Sequence, residues 1–412
     1  MSKWEERKLV DLCHRVVSGG TPLKTKPEYY EGGTIPWLKT GEVKKTYIYE
    51  TEEQITQQGL SNSSAKLVPE NSVIIAMYGD GDTAGNVAIN KIDLTTNQAC
   101  CNLILNPEIA FYRFIYFYLK GSYSNLVNLK LGGSQQNLNA KTIKSFPVQL
   151  PPLPVQKKIA AVLSAYDDLI ENNTRRIALL EKMAKEIYRE WFVRLRFPGH
   201  KQVTFHKGIP ERWEVQEMGN VARITMGLSP KGHTYNESGK GIPLVNGPVE
   251  FSDRFTKAIK WTTAPTKVCK PGDLIVCVRG STTGRNVKSD GEYCLGRGVC
   301  AISSEQQSFV DHLFAQQLPV LLGMTSGSTF PSWTGPQLKA HQTLVSPVAL
   351  RSKFDQIARP MSHAIQILAR QNEMLARTRD RLLTRLISGK LPVEDLNIHF
   401  PPSMTTETSH EQ

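Results

Sequence analysis

The sequence predicts an α+β protein built twice over. Each half is a globular domain followed by a long helix, and the two helices pair as a coiled coil about an internal pseudo-two-fold repeat. Three observations predict this. The series Ile159, Val162, Tyr166, Leu169, Asn173, Ile177, Leu180, Ala184, Ile187, Trp191 recurs as Phe354, Ile357, Met361, Ala364, Leu368, Asn372, Leu375, Arg379, Leu382, Leu386 at a constant offset of 195 residues. Both copies step by 3, 4, 3, 4, 4, 3, 4, 3, 4, a coiled-coil stripe with one four-residue stutter. Short motifs ahead of each stripe also recur, in the same order.

Taken along the chain, Ile35-Pro36-Trp37-Leu38 answers Ile242-Pro243-Leu244-Val245, each followed closely by a glycine, Gly41 or Gly247. Pro69 to Ala76 and Pro271 to Cys277 both read as a turn entering a buried strand. Gly85-Asn86-Val87 then answers Gly284-Arg285-Asn286-Val287, and Gly132-Gly133-Ser134 answers Gly327-Ser328. Leu150-Pro151-Pro152-Leu153 and Val345-Ser346-Pro347-Val348 lead into the helices; Pro154 fits a first helical turn, where no donor is lost. The expected boundaries are residues 1–150 for the first domain and 151–196 for the first helix. The second domain follows over 197–347, the second helix over 348–390, and an acidic, disordered tail over 391–412. A helix from Pro154 to about Arg194 would be roughly 60 Å long, long enough to act as a spacer. Asn173 and Asn372 interrupt the stripe. Either they fix register and orientation in the seam, or they lie at a solvated stripe edge.

The chain's 412 residues allow two cores of about 150 residues each, with the helices added. The apolar runs are far shorter than the roughly 20 residues of a membrane span, and residues 1–6 have no signal-peptide character, so a cytoplasmic protein without membrane attachment is expected. Seven cysteines fit reduced thiols, and neither Cys100-Cys101 nor Cys294, Cys300 and His312 has zinc-site spacing, so no metal is expected. The net charge of +12 is uneven: +2 over 1–150, +3 over 151–196, +5 over 197–350, +6 over 351–390 and −4 in the tail. Such a balance suits a polyanionic partner, because each neutralised phosphate releases counterions; a merely solvated basic surface is the plain alternative.

Catalytic patterns are not found. Gly239-Lys240 and Gly389-Lys390 lack the Ser or Thr of a phosphate-cradling loop. The Pro-Pro pairs at 151–152 and 401–402 lack the Asn or Asp and aromatic that hold a flipped adenine. No HExxH or GxSxG occurs. Asp167-Asp168 and Glu5-Glu6 are adjacent, so their side chains diverge and read as solvated faces rather than acid–base dyads. The chain reads as a non-enzyme.

The chain resembles the specificity subunit of type I restriction-modification systems over almost its whole length. The residues that carry the likeness are Leu9 through Ser18-Gly19-Gly20-Thr21-Pro22, Ile35 through Val43, Asn97-Gln98, the Gly-Gly-Ser-Gln-Gln-Asn-Leu-Asn run at 132–139, and Pro151 through Ile159. The second half departs from the pattern at Gly227-Leu228-Ser229-Pro230 and at Ser326 through Trp333. The resemblance implies two target recognition domains, each mixed α/β with a twisted sheet, separated by two antiparallel helices. It implies binding of double-stranded DNA at an asymmetric bipartite target, with two adenine-N6 methyltransferase subunits and ATP-driven restriction, or translocase, subunits as partners. S-adenosylmethionine, ATP and magnesium would then belong to those partners, and no cofactor to this chain. Two other functions compete: the specificity subunit of another restriction class, and a structural adaptor with two protein-binding domains.

DNA contacts are expected on loops that offer donors. In the first domain these are Thr21 and Lys24, then Tyr78, Asp80, Asp82 and Thr83, then Gln135, Gln136 and Asn137; amides of Gln and Asn can pair with adenine edges. Lys24, Lys26 and Lys39 suit phosphates. In the second domain the segment Arg279 to Arg285, with Ser281, Thr282 and Arg285 itself, offers a guanidinium able to fork onto guanine, and Lys231 and Arg297 supplement it. Tyr188, Phe192 and Val193 are expected to dock partner helices.

Overall fold

The computed structural model describes residues 4–79, 83–128, 138–325 and 331–404. It divides into two compact units, Met1–Thr174 with Ala369–Gln412, and Arg175–Leu368. Each unit therefore holds one domain, half of one long helix and half of the other.

In the first unit a five-stranded sheet runs in the order Cys13–Ser18, Cys100–Leu105, Val73–Ala76, Val87–Asn90, Tyr47–Ile48; all its pairs are antiparallel except the last. Val73–Ala76 is buried on both faces, which is why it reads as a continuous apolar run rather than an alternating one. A smaller sheet places Ile35–Leu38 between Glu53–Ile55 and Thr95–Thr96. The N-terminal strand Glu5–Lys8 pairs with Pro147–Leu150, the strand that enters the helix. The second unit repeats this plan. Its four-stranded sheet orders Arg223–Met226, Val299–Ser303, Leu274–Cys277, Asn286–Lys288, and Glu214–Glu217 pairs with Gln342–Val345 ahead of the second helix. The register Val73 opposite Leu103 in one unit is matched by Leu274 opposite Ile302 in the other.

The long helices are Leu153–Tyr188, closed by a π turn over Arg189–Val193, and Val348–Ile387. Their ends belong to the domain cores: Ile159, Leu163, Leu383, Leu386 and Ile387 pack into the first, and Tyr188, Phe192, Phe354 and Ala358 into the second. In the first unit the two helical segments run antiparallel, with Asp167 beside Arg379 and Asn173 beside Asn372.

Of the stripe residues, Ile159, Asn173, Ile177, Phe354, Leu368 and Leu386 are buried. Val162, Tyr166, Leu180, Ile187, Trp191, Met361, Asn372, Leu375 and Leu382 are half-buried. Leu169, at 51% exposed, and Ile357, at 39%, are not on the inner face. The reason is that polar residues hold buried helix positions: Asp167, four residues after Leu163, pairs with Arg379 in the seam, and Asp355, beside Phe354, is buried against the Ser308 N–H of the second domain. An apolar pattern skips them and lands on the flank.

Two further expectations are corrected. Tyr188 and Phe192 do not dock partner helices, because they are buried among Phe309, Phe354 and Trp213 in the second core; Val193 alone of that trio is exposed. Over residues 391–404 the tail is not disordered but packs on the first unit, and residues 405–412 lie outside the described residues. Val393 and Met404 are buried, Arg113 donates from Nη2 to the Ser403 carbonyl at 2.8 Å, and Ser403 donates to Asp168 at 2.6 Å. A polar composition hid these anchors.

Candidate nucleic-acid interface

At one end of the first sheet, Gly19 and Gly20 lie against the strand pair that starts at Thr95. The Gly20 N–H donates to the Thr96 carbonyl at 2.8 Å, and the buried Trp37 indole donates to the Gly20 carbonyl at 3.0 Å. A Cβ on Gly19 would lie 2.2 Å from the Asn97 carbonyl oxygen, so no other residue fits. Thr21 then hydrogen-bonds through its hydroxyl to Gln98 Oε1, and Tyr78 donates its hydroxyl to the Gln98 carbonyl at 3.2 Å. Tyr30 fixes the loop beyond by donating to the Pro22 carbonyl at 2.6 Å. Two segments far apart in sequence, at Thr21 and at Tyr78, thus converge on Gln98.

The second unit builds the same platform from different side chains. A Cβ on Gly227 would lie 2.1 Å from the Gly296 carbonyl oxygen, and Tyr235 donates to the Pro230 carbonyl at 3.1 Å. Ser229 Oγ accepts from the Arg297 N–H at 3.1 Å, as Thr21 meets Gln98. The Met77 N–H donates to the Ala99 carbonyl at 2.8 Å, and the Val278 N–H to the Gly298 carbonyl at 2.9 Å. That register makes Arg279 the counterpart of Tyr78 and Arg297 the counterpart of Gln98. Both arginines are exposed.

Arg279 is held in place by its backbone. It bridges Ser332, while the Gly280 N–H donates to the Pro331 carbonyl at 3.0 Å and the Thr283 hydroxyl to the same oxygen at 2.8 Å. Behind the loop, Trp333 donates its N–H to the Val278 carbonyl and its indole to the Leu321 carbonyl, both at 2.9 Å. Ser281 is exposed, Thr282 is half-buried, and the Arg285 guanidinium lies 6.0 Å from the centre of the Phe251 ring.

The lysines divide. Lys24 and Lys231 are exposed and have no side-chain partner among the described residues. Lys26 donates to the Tyr29 hydroxyl at 3.3 Å. Lys39 is ion-paired to Glu53 at 2.6 Å, and that carboxylate holds its ammonium above the ordinary lysine value. Its charge is thus spent internally, which makes it a poor phosphate ligand. Thr83 is buried. Asp80, Asp82, Gln135, Gln136 and Asn137 lie outside the described residues.

Gln98 and Ser229 are the residues that loop-by-loop reading misses. Asn97-Gln98 was visible as a motif, but only strand register shows that Gln98 faces the Thr21 loop. In chemical terms, the first platform offers hydroxyls and one amide, and the second offers two guanidinium groups. Side chains of these kinds can discriminate base edges, and the flanking free lysines suit phosphates.

Residues 1–182 match the family model of the type I restriction modification DNA specificity domain. The chain is 26% identical to the type I restriction enzyme MjaIX specificity subunit of Methanocaldococcus jannaschii, over 95% of this chain and 94% of that one. It is 31% identical to the EcoR124I/EcoR124II specificity subunit of Escherichia coli, over 42% of this chain and 44% of the relative. The crystal structure of a type I restriction-modification S subunit from M. genitalium shares the fold, with a TM-score of 0.64 at 16% identity, covering 93% of this chain and 96% of that chain.

Proposed function

We propose that this chain is a type I restriction-modification specificity subunit, as the match of residues 1–182 to the DNA specificity domain and the likeness to such subunits over 95% of the chain suggest, and that its two platforms read the two halves of an asymmetric, bipartite double-stranded DNA target. The observation that carries this reading is the repetition of one backbone scaffold with unlike side chains: Thr21, Tyr78 and Gln98 in one unit, Ser229, Arg279 and Arg297 in the other. Unlike side chains on like scaffolds read unlike sequences. Arg279 and Arg297 favour guanine, through bidentate donation to O6 and N7, and the Gln98 amide favours adenine. Lys24, Lys26 and Lys231 contact phosphates, which adds affinity without specificity.

In this reading the chain itself performs no chemistry. Two methyltransferase subunits supply adenine-N6 methylation with S-adenosylmethionine, and restriction subunits use ATP and magnesium. Each long helix spaces the half-sites. Purified chain incubated with labelled S-adenosylmethionine and mixed duplex DNA therefore transfers no methyl groups; robust transfer that persists through further purification would end the non-catalytic assignment.

Duplex selection by the chain in complex with its methyltransferase subunits tests the function. Enrichment of two unlike half-sites across an unread gap is expected, with affinity falling steeply as salt rises. A single continuous or palindromic site, or no binding above that of an unrelated basic protein, would overturn it and favour a protein-binding adaptor.

A further inference from the structure

We propose that the cavity at the head of the long helix Val348–Ile387 is an anion site that takes a phosphate group. The cavity, about 590 Å³, lies within the second unit and is lined by Arg223, Lys339 and Arg351, with Glu305 as its acidic residue. Val348, the first residue of the helix, also lines it. The start of a helix carries the positive end of its dipole; here the Leu350 and Arg351 N–H groups donate to the Pro347 carbonyl at 3.0 and 3.3 Å, and the first turn contains no acidic residue to offset the dipole.

Arg351 is the independent observation. Only 8% of it is exposed, its Nε is buried without a hydrogen-bond partner, and no ion pair reaches it among the described residues. Its guanidinium lies 5.8 Å from the centre of the Phe309 ring, an apolar surface, and burial pushes its pKa below the ordinary arginine value. Asp355, one turn further along the helix, is already engaged: it accepts from Arg359 Nε at 2.7 Å and from the Ser308 N–H at 2.8 Å.

The repeat supplies an internal control. The residue equivalent to Arg351 in the first helix is Gln156, 195 residues earlier. Gln156 is fully buried and fully bonded: it accepts from the Phe111 N–H at 2.8 Å and donates to the carbonyls of Ile109 and Pro151 at 3.0 and 2.9 Å. The same place in the fold thus holds a satisfied amide in one unit and an unpaired cation in the other. A buried guanidinium without a counter-charge is unfavourable, and a planar fork beside two further cations at a helix start fits the geometry of phosphate. The cavity exceeds the size of one phosphate, so esterified phosphate also fits. The site stands whether or not the loops read DNA.

Equilibrium dialysis of the purified full chain against radiolabelled inorganic phosphate, in chloride-free zwitterionic buffer, tests it. Saturable binding is expected, weakened about tenfold or more in Arg351→Gln, which installs the first unit's side chain. Weaker binding is expected in Lys339→Ala and Arg223→Ala, both exposed positions that keep the test open if Arg351→Gln does not fold, and no change in the exposed Lys257→Ala. Absence of saturable binding, or equal affinity in the three cavity variants and the unaltered chain, overturns the site. An excess of duplex DNA distinguishes the source: displacement of the label assigns the site to a backbone phosphate of DNA, and retention assigns it to a free phosphate or phosphomonoester.

Discussion

Arg279 and Lys231 are both exposed cations in the second unit, yet they are held differently, and that difference predicts different losses. Arg279 is clamped through the Ser332 bridge and the Gly280–Pro331 bond, so its guanidinium is presented from a rigid base. Arg279→Ala should cost about 1–3 kcal/mol on the cognate site and relax one base of one half-site. Lys231→Ala should weaken every sequence alike and shallow the salt dependence. Binding of the methyltransferase complex to single-base target variants at two salt concentrations separates these; equal losses on every variant would reduce Arg279 to a phosphate contact. Glycines give a second contrast. Gly19→Ala drives a methyl group into the Asn97 carbonyl, whereas Gly41→Ala meets nothing within 4 Å. Denaturant melts should show Gly19→Ala destabilised by about 3 kcal/mol or more and Gly41→Ala almost unchanged; similar midpoints for the two would contradict the close approach.

The helices raise the question of what a polar seam does. Asp167 is 4% exposed and ion-paired to Arg379, and Asn173 donates to Asn372 Oδ1 at 2.9 Å while Asn372 donates to the Ile170 carbonyl at 3.3 Å. Adjacent acids on a helix usually read as solvated. Here Asp167 is a seam residue and Asp168 anchors Ser403. Such pairs restrict which alignment of the two helices is satisfied, at little net gain in stability. Arg379→Met should cost about 3–5 kcal/mol because it strands a buried carboxylate, and Asp167→Leu combined with Arg379→Met should recover most of that loss. A double variant as unstable as the single one would mean the pair itself supplies stability.

At the scale of the molecule, the spacer role predicts that helix length sets the unread gap and leaves the half-sites alone. Among the described residues, the base-reading candidates Thr21, Tyr78, Gln98, Ser229, Arg279 and Arg297 lie outside the long helices, in the domains. Inserting four residues near Asn173 adds about one turn. Methylated adenines mapped in cells carrying the altered complex should show the same half-sites at a changed separation. Altered half-site bases at the original gap would refute the spacer role.

Two domains, two long helices and the family likeness were legible in the sequence because each rests on local order: a repeat offset, a helical period, a run of glycines before a strand. The strands Val73–Ala76 and Leu274–Cys277 were legible for the same reason, since an unbroken apolar run bounded by turn residues needs no knowledge of its neighbours. What sits opposite what was decided only by tertiary structure. Gln98 reaches Thr21 through strand pairing across 77 residues, and Arg379 reaches Asp167 across 212. Leu169 loses its place in the seam to a carboxylate because a buried ion pair can hold a position that hydrophobicity alone would give to leucine. Ser403 finds Arg113 across 290 residues, so a tail with a polar composition is pinned to the first core. Periodicity records which face of an element is apolar; it carries no record of the partner that makes a charged or polar residue tolerable inside.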